Sequence, residues 1–191
     1  MLKIRKIWQF LLGQNSETND ESPTAQVHHM EGEDGLSIQV RNYESRDRRD
    51  VLRIAKTSFE GVCLDENIEE RFGQVGDSWR EHKKSAVAHD LRHNPDSAFV
   101  ALADGHIVGF VCNRLYRSRR LGHVANLAVT EDYQGRGVGK ALMRRTLEHF
   151  ERKGMKFVRI ETLEQNKRAR EFYPKLGFEE VGRQVFFFRE L

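Results

Sequence analysis

The sequence predicts an α/β (α+β) domain: a mixed, mostly antiparallel β-sheet with helices on both faces. Three observations carry that prediction. Ser37 to Tyr43 alternates apolar Ile38 and Val40 with polar Gln39 and Arg41, the period of a strand. Two apolar runs, 98–102 and 107–111, flank Asp104-Gly105, a pair suited to the positive φ angles of a tight hairpin turn. After the glycines at 135, 137 and 139 the apolar period changes from two to 3.6, as when a strand passes through a turn into a helix.

The 191 residues suit one domain with an extension, and 38% hydrophobic against 32% charged residues implies a core beneath a well-solvated surface. A net charge of +3 is too weak a bias to indicate nucleic acid. No apolar run approaches the roughly 20 residues of a membrane span. Cys63 and Cys112 form no CxxC pair, so neither a disulfide framework nor a metal site is expected. The opening run MLKIRKIWQFLLG imitates a signal peptide only in part, since Gln9 interrupts it and no small-residue cleavage site follows. A cytoplasmic, reducing location is expected.

Residues 1–12 space Ile4, Ile7, Trp8 and Leu11 as on a short amphipathic helix, with Lys3, Arg5 and Lys6 between them. Such a helix would make weak membrane or protein contact, or dock on its own domain. Residues 13–35, rich in Ser, Asn, Glu, Asp and Gly, read as a flexible linker that includes His28 and His29. The domain itself is expected over 36–191. It opens with a strand at 37–43, then a helix capped by Ser45 and carrying Val51, Leu52, Ala55 and Phe59. A second helix starts at Ser78 with Glu81 completing a capping box, shows Trp79, Ala86, Val87 and Leu91 on one face, and stops at Asn94-Pro95. The hairpin follows, then a strand at 123–129. The next helix carries Met143, Leu147 and Phe150 and ends at Lys153-Gly154. A strand at 157–163, a short helix with Ala169, Phe172, Tyr173 and Leu176, and a strand at 185–188 complete the expected order.

The chemistry concentrates in LAVTEDYQGRGVG, residues 127–139, followed by Lys140-Ala141. Glycines let the main chain turn its N–H groups outward, and the helix that follows adds the positive end of its dipole, so the turn is an anion site. Arg136 and Lys140 add formal charge, and a pyrophosphate is the natural occupant. A Walker A loop fails twice, because Gln134 stands at its first glycine and Ala141 at its Mg²⁺-holding hydroxyl. A dinucleotide fingerprint fails on spacing and on its late position in the chain.

Gln134-Gly135-Arg136-Gly137-Val138-Gly139 resembles the Q-x-x-G-x-G/A pyrophosphate loop of the GNAT superfamily of acyl-CoA N-acyltransferases. Residues 166–178, NKRAREFYPKLGF, resemble the N-x-x-A-x-x-F-Y-x-K-x-G-F signature that closes such domains. The resemblance covers about 36–191 and is sharpest from His123 to Phe178. It implies a sheet whose strands 4 and 5 splay apart around the acyl-pantetheine of acetyl-CoA, the acyl donor, with no metal. Main-chain groups of Leu127, Ala128 and Val129 would pair with the pantetheine, and the Val129 N–H would face the thioester oxygen. Residues 134–140 (Gln134, Gly135, Arg136, Gly137, Val138, Gly139, Lys140) would hold the diphosphate. Asn166 would touch the pantetheine arm, and Tyr173 would protonate the departing thiolate. Glu161 is the first candidate base and His123 the second, with ion pairing to Arg159 and a hydrogen-bonded strand start as their structural alternatives. Pro174, inside the last helix, removes an N–H and is expected to kink it.

The implied activity is acetyl transfer from acetyl-CoA to a primary amine (a protein N-terminus, a lysine or a small molecule) by direct attack in a ternary complex. The alternative is a non-catalytic GNAT-fold module that senses CoA or docks a partner. His82, His89 and His93 share a helix face and read as solvated. Arg114, Arg117, Arg119 and Arg120 crowd a turn. Asp65, Glu69 and Glu70 would form a negative patch near the acceptor. The run 186–188 suits a core or a homodimer contact equally.

Overall fold

The computed structural model describes residues 28–32, 35–74 and 76–191. The expected helix at 1–12 and the linker stretch up to 27 lie outside the described residues. Ala25–Glu161 form one compact unit, and Thr162–Leu191 belong to a second.

The first unit is built on a six-stranded sheet in simple chain order. Strands β1 (His28–Glu31), β2 (Ser37–Asn42), β3 (Ala98–Ala103), β4 (His106–Tyr116) and β5 (Leu121–Val129) pair antiparallel in succession. Strand β6 (Phe157–Ile160) joins β5 in parallel. The family's strands 4 and 5 are therefore β5 and β6 here, because β1 arises inside the stretch read as linker. His28 and His29 lie on β1 across from Val40 and Gln39. Burial lowers the pKa of His28 to about 4. The hairpin turn forms as expected, with Asp104 at φ 51° and Gly105 at φ 78°.

Helices cover both faces. Val100, Phe110 and Ala128 stand in cross-strand register. They pack with Val51, Ile54 and Ala55 of α1 (Arg48–Thr57) and with Val87 and Leu91 of α3 (Trp79–His93). The opposite face meets α4 (Val138–Arg152), the crossover from β5 to β6. There the buried Phe99 ring takes the Arg145 guanidinium at 4.6 Å and the edge of His149 at 5.3 Å. Gly122 admits α4 closely, because a Cβ at that residue would lie 2.6 Å from the Phe150 ring.

Several local expectations change. A helix, α2 (Leu64–Phe72), fills a region read as loop. Ser45 does not cap α1; Asp47 stands at that cap and pairs with Arg41, Oδ2 at 2.6 Å. The capping box at Ser78 is not formed. Glu69 accepts the Trp79 N–H at 2.6 Å instead, while Glu81 is drawn to Lys56 and Lys84. Ala86 is exposed, and Lys83 and Asp90 take the inner face of α3 with Trp79, Val87 and Leu91. No helix among the described residues is long and apolar enough to cross a membrane.

In the second unit, α5 (Lys167–Lys175) is capped by Asn166, whose Oδ1 accepts the Ala169 N–H at 3.1 Å. The helix continues through Pro174 to Lys175, and the N–H groups of Leu176 and Phe178 close on the Tyr173 carbonyl. The strand expected at 185–188 is absent. Those residues carry no regular structure, and the Phe187 side chain is 90% exposed. A β-branched and aromatic run favours a strand only where a neighbouring strand supplies a ladder.

Because the Phe150 ring fills the space that a side chain would need, Gly122→Ala should cost about 1–3 kcal/mol of stability. Thermal unfolding should show a midpoint several degrees lower, whereas an unchanged midpoint would mean the ring moves aside freely.

Candidate functional site

The site starts from an interruption in β5. Cys112 pairs with Asn126 and Asn113 with Val124, so Ala125 is an extra residue, a β-bulge. The parallel ladder to β6 ends at Val124 and Ile160, but β5 continues to Val129. Past the bulge, no strand among the described residues pairs with this edge of β5. Thr130 donates its N–H to Val108 of the strand before, at 2.8 Å. By the two-residue alternation of a strand, Ala128 also turns its main chain toward β4, while Leu127 and Val129 turn theirs to the open edge. The sequence reading counted Ala128 with them. Of the three it is the one whose N–H and C=O serve the sheet.

The glycine turn follows directly. Gln134 reaches back to donate its Nε2 to the Val129 carbonyl at 2.9 Å, so its side chain ties the turn to the strand end. Gly135 sits at φ 80° and Gly137 at φ 90°, conformations that disfavour a side chain. Gly137 is the N-cap of α4 and has no side chain to cap it. The first α-helical bond closes from the Ala141 N–H to the Gly137 carbonyl at 3.0 Å. The N–H groups of Val138 and Gly139 consequently have no acceptor within the helix. Gly139 lies inside the first helical turn, and the buried Val138 side chain pins that turn to the core. No acidic residue stands in the first turn of α4. The Arg136 guanidinium lies over the Tyr133 ring at 5.2 Å. This arrangement of outward amides, dipole and cations fits an anionic diphosphate.

The two candidate bases come together beside the open edge. His123 Nε2 lies 3.0 Å from Glu161 Oε1, and Arg159 Nε lies 3.0 Å from Glu161 Oε2. Glu161 falls one residue past β6. Its side chain is 60% exposed and that of His123 only 6%, so Glu161 is the member a substrate can reach. Burial holds the His123 pKa below its ordinary value, with Arg159 and Arg114 acting the same way and Glu161 opposing them. A neutral imidazole then donates from Nε2 to the carboxylate. The Tyr116 ring stacks beside it at 6.2 Å.

Beneath these groups runs a polar network that sequence reasoning missed. Asp90, 1% exposed, accepts from Arg114 Nε at 2.7 Å and from Asn126 Nδ2 at 2.9 Å. Asn126 Oδ1 accepts from Lys83 Nζ at 2.6 Å, and that ammonium also lies 3.9 Å from the Phe59 ring centroid. Burial lowers the Lys83 pKa. The sequence signal was available: Lys83 and Asp90 occupy core-facing positions at the helical spacing set by Trp79, Val87 and Leu91. The expected acidic patch is differently employed, since Glu69 caps α3 and the neighbouring Glu66 accepts the Gly61 N–H. His93 Nδ1 lies 2.8 Å from the His89 carbonyl.

Asn166 and Tyr173 belong to the second unit. Asn166 Oδ1 serves the cap of α5. Tyr173 packs beside Phe172 and Phe178, and burial pushes its phenol up to about 12.

Comparison with known proteins matches residues 57–178 to the acetyltransferase (GNAT) family. An uncharacterised N-acetyltransferase of Methanocaldococcus jannaschii is 35% identical over 95 residues, which are 47% of this chain and 42% of that protein. An N-alpha-acetyltransferase of Sulfurisphaera tokodaii is 28% identical over 162 residues, covering 79% of this chain and 86% of that one. The chain thus spans less than half of the first relative and most of the second. Among solved structures, a PaiA N-acetyltransferase of Thermoplasma acidophilum in complex with coenzyme A superposes with a TM-score of 0.63 at 21% identity, covering 78% and 93% of the two chains. That likeness establishes the fold.

Removing the Asp90 carboxylate strands both Arg114 and Asn126. Arg114 is partly exposed and can turn to water, so Asp90→Ala should cost about 2–3 kcal/mol, below the range for a fully buried pair. Glu81→Ala, which breaks only solvent-screened pairs with Lys56 and Lys84, should cost clearly less. Urea unfolding of the two variants checks the ranking, and equal losses would contradict it.

Proposed function

Because the chain belongs to the acetyltransferase (GNAT) family, we propose that it transfers an acetyl group from acetyl-CoA to a primary amine, the terminal α-amine of a peptide or protein. The observation that carries the proposal is the open edge of β5 ending in the turn at 134–140. Leu127 and Val129 offer main-chain groups to an amide-bearing arm, and the turn that follows offers N–H groups and cations to a diphosphate. Coenzyme A has both parts in that order. The choice of an α-amine is supported by the name of the Sulfurisphaera relative, which matches over most of both chains.

In the proposed mechanism the amine arrives protonated and first loses a proton to the Glu161–His123 pair, with Glu161 as the exposed acceptor and His123 holding it in place. The amine nitrogen then attacks the thioester carbon. Charge builds on the thioester oxygen, which the Val129 N–H stabilises from a fixed position. The C–N bond forms and the C–S bond breaks; the thiolate takes a proton from Tyr173, and the tyrosinate regains one from the nitrogen, which carries a surplus proton after attack, so a neutral amide and a thiol are released. A phenol raised to about 12 is fully protonated at neutral pH and so holds the proton ready. Neither cysteine is needed as a nucleophile. Both Cys63 and Cys112 are buried, and burial raises both thiols.

Mixing the protein with acetyl-CoA and peptides of free α-amine, and following free thiol, tests the reading. Turnover is expected, with acetate mass added at the peptide N-terminus. Glu161→Gln should lower kcat about 10²-fold or more, and Tyr173→Phe should lower kcat while CoA still binds. Thiol release on lysine side chains or small amines alone would reassign the acceptor. CoA binding with no release on any amine, and no effect of Tyr173→Phe, would favour a CoA-sensing module.

The pair also fixes a pH dependence. The His123 pKa is lowered, so the imidazole stays neutral until the pH falls to that depressed value; protonation at Nδ1 below it keeps the Nε2 bond to Glu161 but sets a cation against the carboxylate and weakens it as a base. The acid limb of kcat should therefore lie below pH 6.5 and move to lower pH in Glu161→Gln, where an opposing charge is lost. A kcat limb at pH 7 or above that ignores the substitution would contradict the assignment.

A further inference from the structure

We infer that Gly32, in the turn between β1 and β2, is a positioning residue for the 134–140 turn. The inference rests on the reading of that turn as the diphosphate cradle. A Cβ built on Gly32 would lie 2.6 Å from the Arg136 main-chain oxygen, 3.1 Å from Leu36 Cβ and 3.2 Å from Ile38 Cδ1. The first of these is backbone inside the cradle and cannot be relieved by a side-chain rotation. The Gly32 turn is itself fixed, since its N–H donates to the Leu36 carbonyl at 2.7 Å and its carbonyl accepts from Gly35 at 3.2 Å.

The kind of glycine matters. Gly135 and Gly35 have positive φ angles and open space around the missing side chain, so backbone conformation selects glycine there. Gly32 has no such φ angle, and proximity to Arg136 selects it instead. The segment read from sequence as linker thus presses on the main chain between Gly135 and Gly137. The contact fixes the Arg136 peptide, one of those whose orientation sets the row of amides. The three atoms nearest that Cβ belong to Arg136, Leu36 and Ile38 and none to Leu127 or Val129, so the pantetheine end should be indifferent to it.

Calorimetry with CoA, and kinetics with acetyl-CoA and with an acetyl-pantetheine that lacks the diphosphate, test the inference. Gly32→Ala should weaken CoA binding and raise the KM for acetyl-CoA about tenfold, leaving kcat at saturation and turnover of acetyl-pantetheine unchanged. Gly154→Ala, strained at φ 73° at the far end of α4 with nothing within 4 Å of the added Cβ, should lower the melting temperature and leave CoA affinity alone. Hydrogen exchange on the wild-type chain gives a readout that does not need the variant to fold. Adding CoA should slow exchange in peptides covering 28–38 as well as those covering 130–142. Equal CoA affinity in Gly32→Ala, or protection confined to 130–142, would overturn the role of Gly32. Absence of CoA binding by the wild-type chain would instead overturn the cradle itself.

Discussion

The structure depends on a ladder that stops early. Strand β5 has partners on both sides as far as Val124, and then the bulge at Ala125 ends its pairing with β6 while its pairing with β4 continues to Val129. Unpaired main-chain groups at the centre of a sheet are costly unless something satisfies them. A protein that holds such an edge open keeps a place for a ligand with its own amides. In the proposed reading the ligand's arm completes the sheet. In the same reading the glycine turn, reached through a short 3-10 turn at Glu131–Tyr133, leads the chain into α4 and would present the helix start to the other end of that ligand.

Holding that geometry takes support from below and beside. From below, Asp90 ties α3 to β4 through Arg114 and to β5 through Asn126, on either side of the bulge. A buried carboxylate with two donors is adequately compensated, and it replaces the apolar packing that a plain helix face would supply. From beside, the turn after β1 abuts Arg136, and Gln134 ties the turn back to Val129. In the proposed reading the reacting end is set by His123 of β5 and Glu161, one residue past β6, one buried and one exposed, brought together where the last register pairs end.

The sequence made legible whatever is local. Asp104-Gly105 fixed a hairpin because both residues tolerate positive φ. The apolar stripe of α4 and the glycines before it located the crossover and its turn. Less legible was whatever needs a partner distant in sequence. His28–Glu31 carries a single apolar residue, Met30, in a mostly polar stretch, and it becomes a strand only because β2 offers an edge. Leu64–Phe72 is acidic and weakly periodic, and its helix is marked mainly by how it closes on neighbours, with Glu69 capping α3. Residues 185–188, Val-Phe-Phe-Phe, are an unbroken apolar run but form no strand. The site followed the same rule. Gln134 to Lys140 could be read directly, while Asp90, Asn126, Lys83 and Gly32 acquire their roles only from contacts across 20 to 100 residues of chain.

The central claim is that the edge left open by the bulge, together with the turn at its end, receives one extended thioester ligand. A crystal structure of the chain with acetyl-CoA tests it most directly. The account predicts the diphosphate on the N–H groups between Gly135 and Lys140, with the pantetheine amides bonded to the main chain of Leu127 and Val129. Coenzyme A bound elsewhere, or that edge closed by a strand of the chain itself, would contradict it.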